Sequence, residues 1–240
     1  MRNIEKVTII EQIKIIKDII FSPTKAFKKI NRKPKWLIVF LTIGVGTMII
    51  SYLTLPFVVQ VATLSIPPDI SPNEAENVLN TMKPMRVIGI FLSPLFLLIG
   101  FLIIAVILWL IVQLFSEVDF KRIFSIVVHC GIITFLGSVL TLIILQLRGL
   151  RSIKSAADVQ VSLGLDIFLR NPDLSLAFKT FLSNINVFSI WWIVLITLGI
   201  SITSKISKTK SAFIAIFFWL FSTAIQIGLA SLTGSLGKIG

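Results

Sequence analysis

The residues of this chain with the greatest capacity for chemistry are its one histidine and its one cysteine, His129 and Cys130. Ser125 lies four residues before the histidine, so a helix would place the two side chains one turn apart, close enough for a serine nucleophile and a histidine base. No Gly-x-Ser-x-Gly elbow surrounds Ser125, and two residues on one helix provide no oxyanion site. We therefore predict no catalytic residues and no enzymatic activity. We expect His129 to serve helix packing or an interhelical hydrogen bond.

Metal and cofactor sites are not predicted either. A structural zinc site needs about four cysteine, histidine or carboxylate ligands, whereas His129 and Cys130 lie in an apolar run with no charged residue near them. One cysteine also excludes an intrachain disulfide. The chain lacks a Walker loop and a dinucleotide fingerprint, the glycine-rich loops that hold phosphates. We expect neither a metal ion nor a cofactor.

The composition around these residues is that of a membrane protein. Of the 240 residues, 55% are hydrophobic and 14% are charged, whereas soluble domains average about 25% charged residues. The mean hydropathy is +0.97. The net charge of +12 comes from basic residues between apolar runs and near the N-terminus. We therefore expect membrane phosphates, rather than nucleic acid, as the anionic partner.

Five apolar runs are long enough to cross a bilayer, which takes roughly 20 residues of helix. We predict an all-α integral membrane protein with five transmembrane helices, at about 37–64, 87–115, 123–147, 184–203 and 211–235. Residues 1–35 would form a cytoplasmic segment, and residues 36–237 the five-span membrane domain. Between spans, we expect helices over Asn73–Met82, Ala157–Leu169 and Asp173–Ile185.

The N-terminal segment is predicted to contain an amphipathic helix. Between Val7 and Ile20, isoleucines 9, 13, 16 and 20 recur at helical spacing, and isoleucines 10 and 19 widen this stripe; charged residues and Gln12 occupy the other faces. The helix is too charged to span a membrane. We expect it to lie in the membrane interface or against the cytoplasmic face of the protein.

A dense block of cations follows this helix and precedes the first span. Ser22 and Pro23 predict a helix start, with Ser22 as its cap, and Pro34 predicts its end. Such a block is retained in the cytoplasm and attracts anionic headgroups. Either the charges only set topology, or they also bind lipid or a protein partner. The candidate contact residues are Lys25, Lys28, Lys29, Arg32, Lys33 and Lys35.

The distribution of basic residues predicts the orientation. With the N-terminus in the cytoplasm, 15 basic residues lie on the cytoplasmic side and 8 on the other. Positive residues favour the inside of a membrane. We therefore predict a multi-pass protein of the cell membrane, with a cytoplasmic N-terminus and an extracytoplasmic C-terminus.

Three stretches together resemble the Yip1 family, in particular its short bacterial members. Phe21–Ile30 is similar to the family's Pro-x-x-Ala-Phe segment before the first span, and Phe120–Val128 to its short turn into the third span. Asn186–Ile200 is similar to the asparagine–x–phenylalanine–x–x–tryptophan start of the fourth span, with Phe188, Trp191 and Trp192 in it. In the third span, His129 and its neighbours replace the tyrosine and proline that are frequent in the family.

The resemblance implies five transmembrane helices, a cytoplasmic N-terminus and no known catalytic activity. Eukaryotic members work with small GTPases in vesicle traffic, but this chain lacks their longer cytoplasmic domain. What the resemblance implies here is an adaptor, scaffold or assembly partner of other membrane proteins, for example in a transport complex or membrane-organising machinery. Phe188, Trp191, Trp192 and His129 are candidate interaction or interhelical residues, and the sequence leaves homo-oligomerisation open.

The alternative function is a small solute channel or carrier. Amide and imidazole side chains in the spans could line a polar path. The residues that would do so are Gln113, His129, Gln146 and Gln226.

Overall fold

The computed structural model describes residues 2–67, 69–168 and 175–236. Over these residues the chain is helical, apart from connecting segments and an isolated bridge between Gly164 and Asn186. The α-helices are α1 Arg2–Phe21, α2 Pro23–Arg32, α3 Leu37–Leu64, α4 Pro72–Gln113, α5 Phe120–Arg148, α6 Ala156–Val159, α7 Leu176–Ser183, α8 Val187–Ser204 and α9 Lys208–Leu236. The prediction of an all-α protein is confirmed.

Five of these helices are long and apolar enough to cross a membrane: α3, α4, α5, α8 and the Lys208–Ser231 part of α9. The shortest, α8, has 18 residues. At 1.5 Å per residue it is about 27 Å long, close to the thickness of a hydrocarbon core. The prediction of five spans is therefore confirmed.

Helix α4 is longer than expected. The expected short helix over Asn73–Met82 and the second span form one helix of 42 residues, which runs through Pro84 and Pro94. The Arg86 guanidinium donates hydrogen bonds to the carbonyls of Leu79 and Met82, at 2.6 and 3.4 Å. These carbonyls flank that of Asn80, which lacks its helical partner because Pro84 has no backbone donor. The helix nevertheless continues through a position that predicted an interruption.

The third connection is less helical than expected. In place of a helix over Ala157–Leu169, the structure has only the four-residue α6 and a 3-10 turn at Leu165–Phe168. A helix was expected from Asp173 to Ile185, and the structure has the shorter α7, Leu176–Ser183. Asp173 itself lies outside the described residues. Within this connection, Gly164 adopts a bridge with Asn186 instead of helix. This extended pairing interrupts the predicted helical pattern.

The helices form two compact units. The first comprises Met1–Phe40, Gly100–Thr134 and Ser162–Gly240, and the second comprises Leu41–Ile99 and Phe135–Val161. In the second unit, Phe57, Leu145 and Ile153 form a buried cluster with Val61, Val159 and Val161 against it. The Gln146 amide donates a hydrogen bond of 3.1 Å to the Leu53 carbonyl within the same unit. These contacts join α3, α5 and the start of the third connection.

In the first unit, the short basic helix α2 packs against α8 through its apolar face. Ala26, Phe27 and Ile30 are at most 1% exposed. Gly199 of α8 makes this approach close. A Cβ atom there would lie 2.6 Å from Ile126 Cγ2 of α5 and 3.1 Å from Phe27 Cε1 of α2. Helices α2, α5 and α8 therefore meet where α8 has no side chain.

Replacement of Gly199 by alanine should destabilise the protein, because the new methyl group would overlap a β-branched side chain that has little rotamer freedom. Overpacking of this kind costs roughly 1–3 kcal/mol. The measurement is the thermal unfolding midpoint of the full chain in mild detergent. The matched control is Gly228→Ala in α9, where no atom lies within 4 Å of the added methyl group. The control should be neutral or stabilised by up to about 1 kcal/mol; equal midpoints for the two variants would contradict the prediction.

Candidate membrane-interface site

The cations of α2 occupy the faces that the helix does not bury. The helix begins at Pro23 and ends at Arg32, as predicted, and Lys33 is extended before Pro34. The Ser22 side chain makes no capping hydrogen bond. Instead the Ser22 carbonyl accepts hydrogen bonds from the amides of Lys25 and Ala26, at 3.0 and 3.2 Å. The exposed cations are Lys25, Lys28, Arg32, Lys33 and Lys35.

Lys29, the remaining member of the predicted basic set, forms an ion pair with Asp18 of α1. The Lys29 ammonium lies 2.7 Å from the carboxylate, and both side chains are partly exposed. The hydrogen bond from Lys29 lowers the pKa of Asp18 below its ordinary value of 3.8, although desolvation acts in the opposite direction. The Ser22 amide also donates a 2.7 Å hydrogen bond to the Asp18 carbonyl. These bonds fold α2 back against α1.

Helix α1 is present, but its buried positions match the predicted stripe only in part. Ile19 is buried as expected, Gln12 and Ile15 are buried outside the stripe, and Ile13 is 58% exposed. The stripe was chosen by hydrophobic spacing alone, and packing in the first unit buries a neighbouring face as well. A helix therefore lies where one was expected, and its amphipathic character and its placement in the membrane interface stay predictions.

Two concave surfaces border α2. One has a volume of about 540 Å³ and lies on α2 itself, lined by Ser22, Pro23, Thr24, Lys25, Lys28, Lys29 and Arg32. The other, the α1–α2 cleft, has a volume of about 410 Å³ and is lined by Glu11, Gln12, Lys14, Ile15, Lys29, Arg32, Lys33 and Lys35. Both surfaces are dominated by cations and suit anionic groups.

Side chains at the end of α4 and in the turn after it bind backbone carbonyls just before α5 and at the end of α8. Trp109 and Gln113 donate hydrogen bonds to the Val118 carbonyl, at 2.9 and 3.0 Å. The Ser116 hydroxyl donates a 2.7 Å hydrogen bond to the Ser204 carbonyl. The turn between α4 and α5 therefore contacts the end of α8, where Lys205 has a left-handed φ of 56°. The first unit has its short basic turns at one end.

The start of α8 owes its geometry to a capping box. The Asn186 carboxamide accepts a 2.9 Å hydrogen bond from the Ser189 amide, and the Ser189 hydroxyl accepts one of 3.1 Å from the Asn186 amide. Trp192 contacts Phe218 of α9, with ring centroids 5.8 Å apart. Phe188, Trp191 and Trp192 are all half-buried. The asparagine of the family-like motif therefore has a local structural role as a helix cap.

His129 is fully buried, and its contacts do not form a nucleophile–base pair. Its Nδ1 atom donates a 2.6 Å hydrogen bond to the Ser125 carbonyl rather than meeting the hydroxyl. The Nε2 atom and the Ser125 hydroxyl have no hydrogen-bond partner in the structure. Cys130 is also fully buried. Among the described residues, no three histidine, cysteine or carboxylate side chains come together to hold a metal.

Two residues of this region had no functional assignment from the sequence. Asp18 pairs with Lys29 across eleven positions, so their contact depends on the reversal between α1 and α2. Gln12 has a polar side chain but is only 3% exposed, and its amide oxygen has no hydrogen-bond partner. No local sequence signal distinguishes Gln12 from a solvent-facing glutamine.

Comparison with known proteins assigns most of the chain to one family model. The model, described as the Yip1 domain, matches residues 17–230. No curated protein and no solved structure matches the chain. The matched range includes α2, the four spans from α3 to α8, and most of α9.

Replacement of Asp18 by asparagine should loosen α1 from α2, because it removes the anion that Lys29 binds. A partly exposed ion pair contributes up to about 1 kcal/mol, so hydrogen exchange of α1 amides should rise by up to about fivefold. The matched control is Glu11→Gln, which removes one carboxylate from the same helix. Equal exchange rates in the two variants would refute the role of Asp18.

The same ion pair predicts a pH dependence. Since the pKa of Asp18 is lowered in the folded protein, its stabilising contribution is complete well above pH 3.8 and is lost as the pH falls through the lowered value. Hydrogen exchange of α1 in wild type should therefore approach that of Asp18→Asn on acidification. A difference between the two proteins that persists at the acid end of the titration, once Asp18 is protonated, would contradict this sign.

Replacement of His129 by leucine should change stability by less than about 1 kcal/mol, because removal of the unpartnered Nε2 atom offsets loss of the Nδ1 hydrogen bond to the Ser125 carbonyl. Ile126→Ala, at a position that is 1% exposed on the same helix, should cost roughly 2–5 kcal/mol. Both are measured as thermal midpoints in mild detergent. A loss for His129→Leu as large as that for Ile126→Ala would show that the imidazole has an essential partner.

Proposed function

The chain belongs to the Yip1 family of multi-span membrane proteins, and from this premise we propose that it is a non-enzymatic adaptor or scaffold for other membrane proteins. Its working surface would be the cationic face of α2 at the cytoplasmic side of a cell membrane. The observation that carries the proposal is the rigid docking of α2, whose apolar face is buried while five of its neighbouring cations are exposed.

The docking of α2 favours recognition over topology alone. A topological signal needs only positive charge near the end of a span, and a disordered tail would provide it. Here the cations project from a helix that is held by Phe27 and Ile30 in the core and by the ion pair to Asp18. A pre-organised surface loses less conformational entropy on binding. The arrangement therefore supports a defined anionic partner.

The proposed orientation places this surface in the cytoplasm. The hydrogen bond between Ser116 and Ser204 brings two short turns together. Lys121 and Arg122 begin the helix after the first turn, and Lys205 lies in the second. With the N-terminus inside, these basic turns and the α1–α2 segment all face the cytoplasm, and the C-terminus lies outside. On this proposal, residues 1–35 form the cytoplasmic segment and residues 36–237 the membrane domain.

The partners that suit this face are anionic lipid headgroups and acidic cytoplasmic segments of other membrane proteins. Exposed lysines and arginines attract both, and complementary charge accelerates association and sets specificity more than it sets affinity. Half-buried aromatic residues at the start of α8, including Trp191 and Trp192, would add a contact surface at the opposite membrane interface. A second copy of the chain remains a partner under the same proposal.

The contacts of the polar side chains favour an adaptor over a channel or an enzyme. Gln113 and Gln146, two of the side chains expected to line a solute path, donate hydrogen bonds to backbone carbonyls. The buried Nδ1 atom of His129 is likewise engaged by a backbone carbonyl. A transport path needs polar groups that exchange partners with solute or water. These three side chains instead support the helices.

The adaptor proposal predicts that partner binding depends on the α2 face. The N-terminally tagged chain, extracted in mild detergent, should co-purify with other membrane proteins. Their recovery should fall at least about fivefold when three α2 cations become glutamine, since three exposed pairs together contribute about 1–3 kcal/mol. The three substitutions are Lys25→Gln, Lys28→Gln and Arg32→Gln.

The matched control removes three exposed cations from the opposite side of the membrane. It carries Arg148→Gln, Arg151→Gln and Lys154→Gln, and it should retain the partners. Protease accessibility of the tag in sealed vesicles checks that each variant keeps its orientation. Recovery of the same proteins with both triple variants, or of the chain alone after cross-linking, would contradict the adaptor. Solute flux in proteoliposomes would then favour the channel or carrier.

A further inference from the structure

We infer that the α1–α2 cleft is a binding site for a polyol phosphate, such as the phosphoglycerol headgroup of an anionic phospholipid. The inference deepens the proposed function, because it rests on the placement of this face at the cytoplasmic leaflet and names a ligand for it. Three features support it: the cleft is lined by both cations and hydrogen-bond acceptors, a buried amide has no partner, and the cleft residues lie close to the first span along the chain.

The cleft has a cationic wall. Arg32, Lys33 and Lys35 line it from the end of α2 and the following linker, and Lys14 lines it from α1. Lys29 also lines the cleft, but Asp18 neutralises its charge. Four cations therefore remain for a ligand. Guanidinium and ammonium groups are the side chains that bind phosphate oxygens most strongly.

The α1 side of the cleft also offers hydrogen-bond acceptors. Glu11 and Gln12 line the cleft beside Lys14. Gln12 is only 3% exposed, and its amide oxygen is closed to solvent and has no partner in the structure. A buried acceptor without a donor is unfavourable, so rotation of the Gln12 side chain toward a ligand hydroxyl in the cleft would satisfy it. A group that carries both a phosphate and a neighbouring hydroxyl therefore matches the cations and the acceptors at once.

The cleft lies close to the first membrane span. Lys33 and Lys35 precede the first residue of α3, Leu37, by four and two positions, which puts the cationic wall near the headgroup region. Its volume of about 410 Å³ is within the range of about 300–1,000 Å³ usual for small-molecule sites. A lipid headgroup can therefore reach the cleft without leaving its leaflet. A free polyol phosphate shares the same chemistry, and the experiment separates the two sources.

The test measures binding to the delipidated full-length protein in mild detergent, by isothermal titration. The probes are short-chain phosphatidylglycerol, phosphatidylmethanol with the same charge but no hydroxyl, zwitterionic phosphatidylcholine, and free glycerophosphoglycerol. Phosphatidylglycerol should bind about 3- to 10-fold more tightly than phosphatidylmethanol, the contribution of one neutral hydrogen bond. Phosphatidylcholine should bind at least tenfold more weakly than phosphatidylglycerol.

Two variants separate the walls of the cleft. Gln12→Leu should bind phosphatidylglycerol and phosphatidylmethanol equally, since it removes the acceptor and keeps the charge. Arg32→Gln with Lys33→Gln should weaken both lipids at least about tenfold. The matched control, Lys205→Gln with Lys208→Gln, removes two exposed cations from the turn before α9 and should bind as wild type does. Thermal midpoints check that each variant is folded.

The binding measurements identify the source of the ligand and can overturn the inference. Tighter binding of the lipid than of free glycerophosphoglycerol assigns the site to a headgroup in the membrane, and equal binding assigns it to a soluble polyol phosphate. Equal affinity of wild type for phosphatidylglycerol and phosphatidylmethanol, or an equal loss in the two double-charge variants, overturns the inference. Because no partner protein takes part, a failure here leaves the adaptor proposal standing. If the wild-type chain co-purifies with no partner, the adaptor proposal fails, and the lipid binding measured here is unaffected.

Discussion

The burial of one face of α2 determines where the charges of the N-terminal segment stand. Ala26, Phe27 and Ile30 are excluded from solvent, and the missing side chain at Gly199 lets α2 approach α8. Full burial of a phenylalanine or isoleucine contributes about 1.5–3 kcal/mol each, whereas a partly exposed ion pair such as Lys29–Asp18 contributes about 1 kcal/mol at most. Apolar packing therefore holds α2 in place, and the ion pair links α1 to it.

Because apolar packing holds α2 in place, the cations on it have a fixed geometry. Lys25, Lys28 and Arg32 are carried by a helix whose other side is anchored in the first unit, so their spacing is set before any partner arrives. The same anchoring creates the α1–α2 cleft, in which cations face the acceptors of α1. A flexible basic tail would attract the same anions through charge alone. The folded segment adds shape and hydrogen-bond direction, which charge alone does not provide.

The candidate site was predictable in part. The basic block, the helix from Pro23 to Arg32 and its stop before Pro34 follow from local rules about cations, caps and proline. The partner of Lys29 does not, since Asp18 is eleven residues away. The burial of Gln12 was also missed, because hydrophobic spacing along α1 placed Gln12 outside the stripe and put Ile13, which the structure exposes, within it.

By itself the sequence determined the class of the protein and its five spans. A span depends on the length and apolarity of one continuous segment. The bilayer also requires that the backbone hydrogen bonds form within that segment. Only the tertiary structure decided which faces of α1 and α2 are buried, that α4 continues through Pro84, and that the described part of the third connection forms short helices and turns. These features depend on side chains that are distant in sequence, such as the acceptor for Lys29 and the gap at Gly199. A pattern of period 3.6 identifies a helix, but the neighbours that cover its faces are chosen by packing.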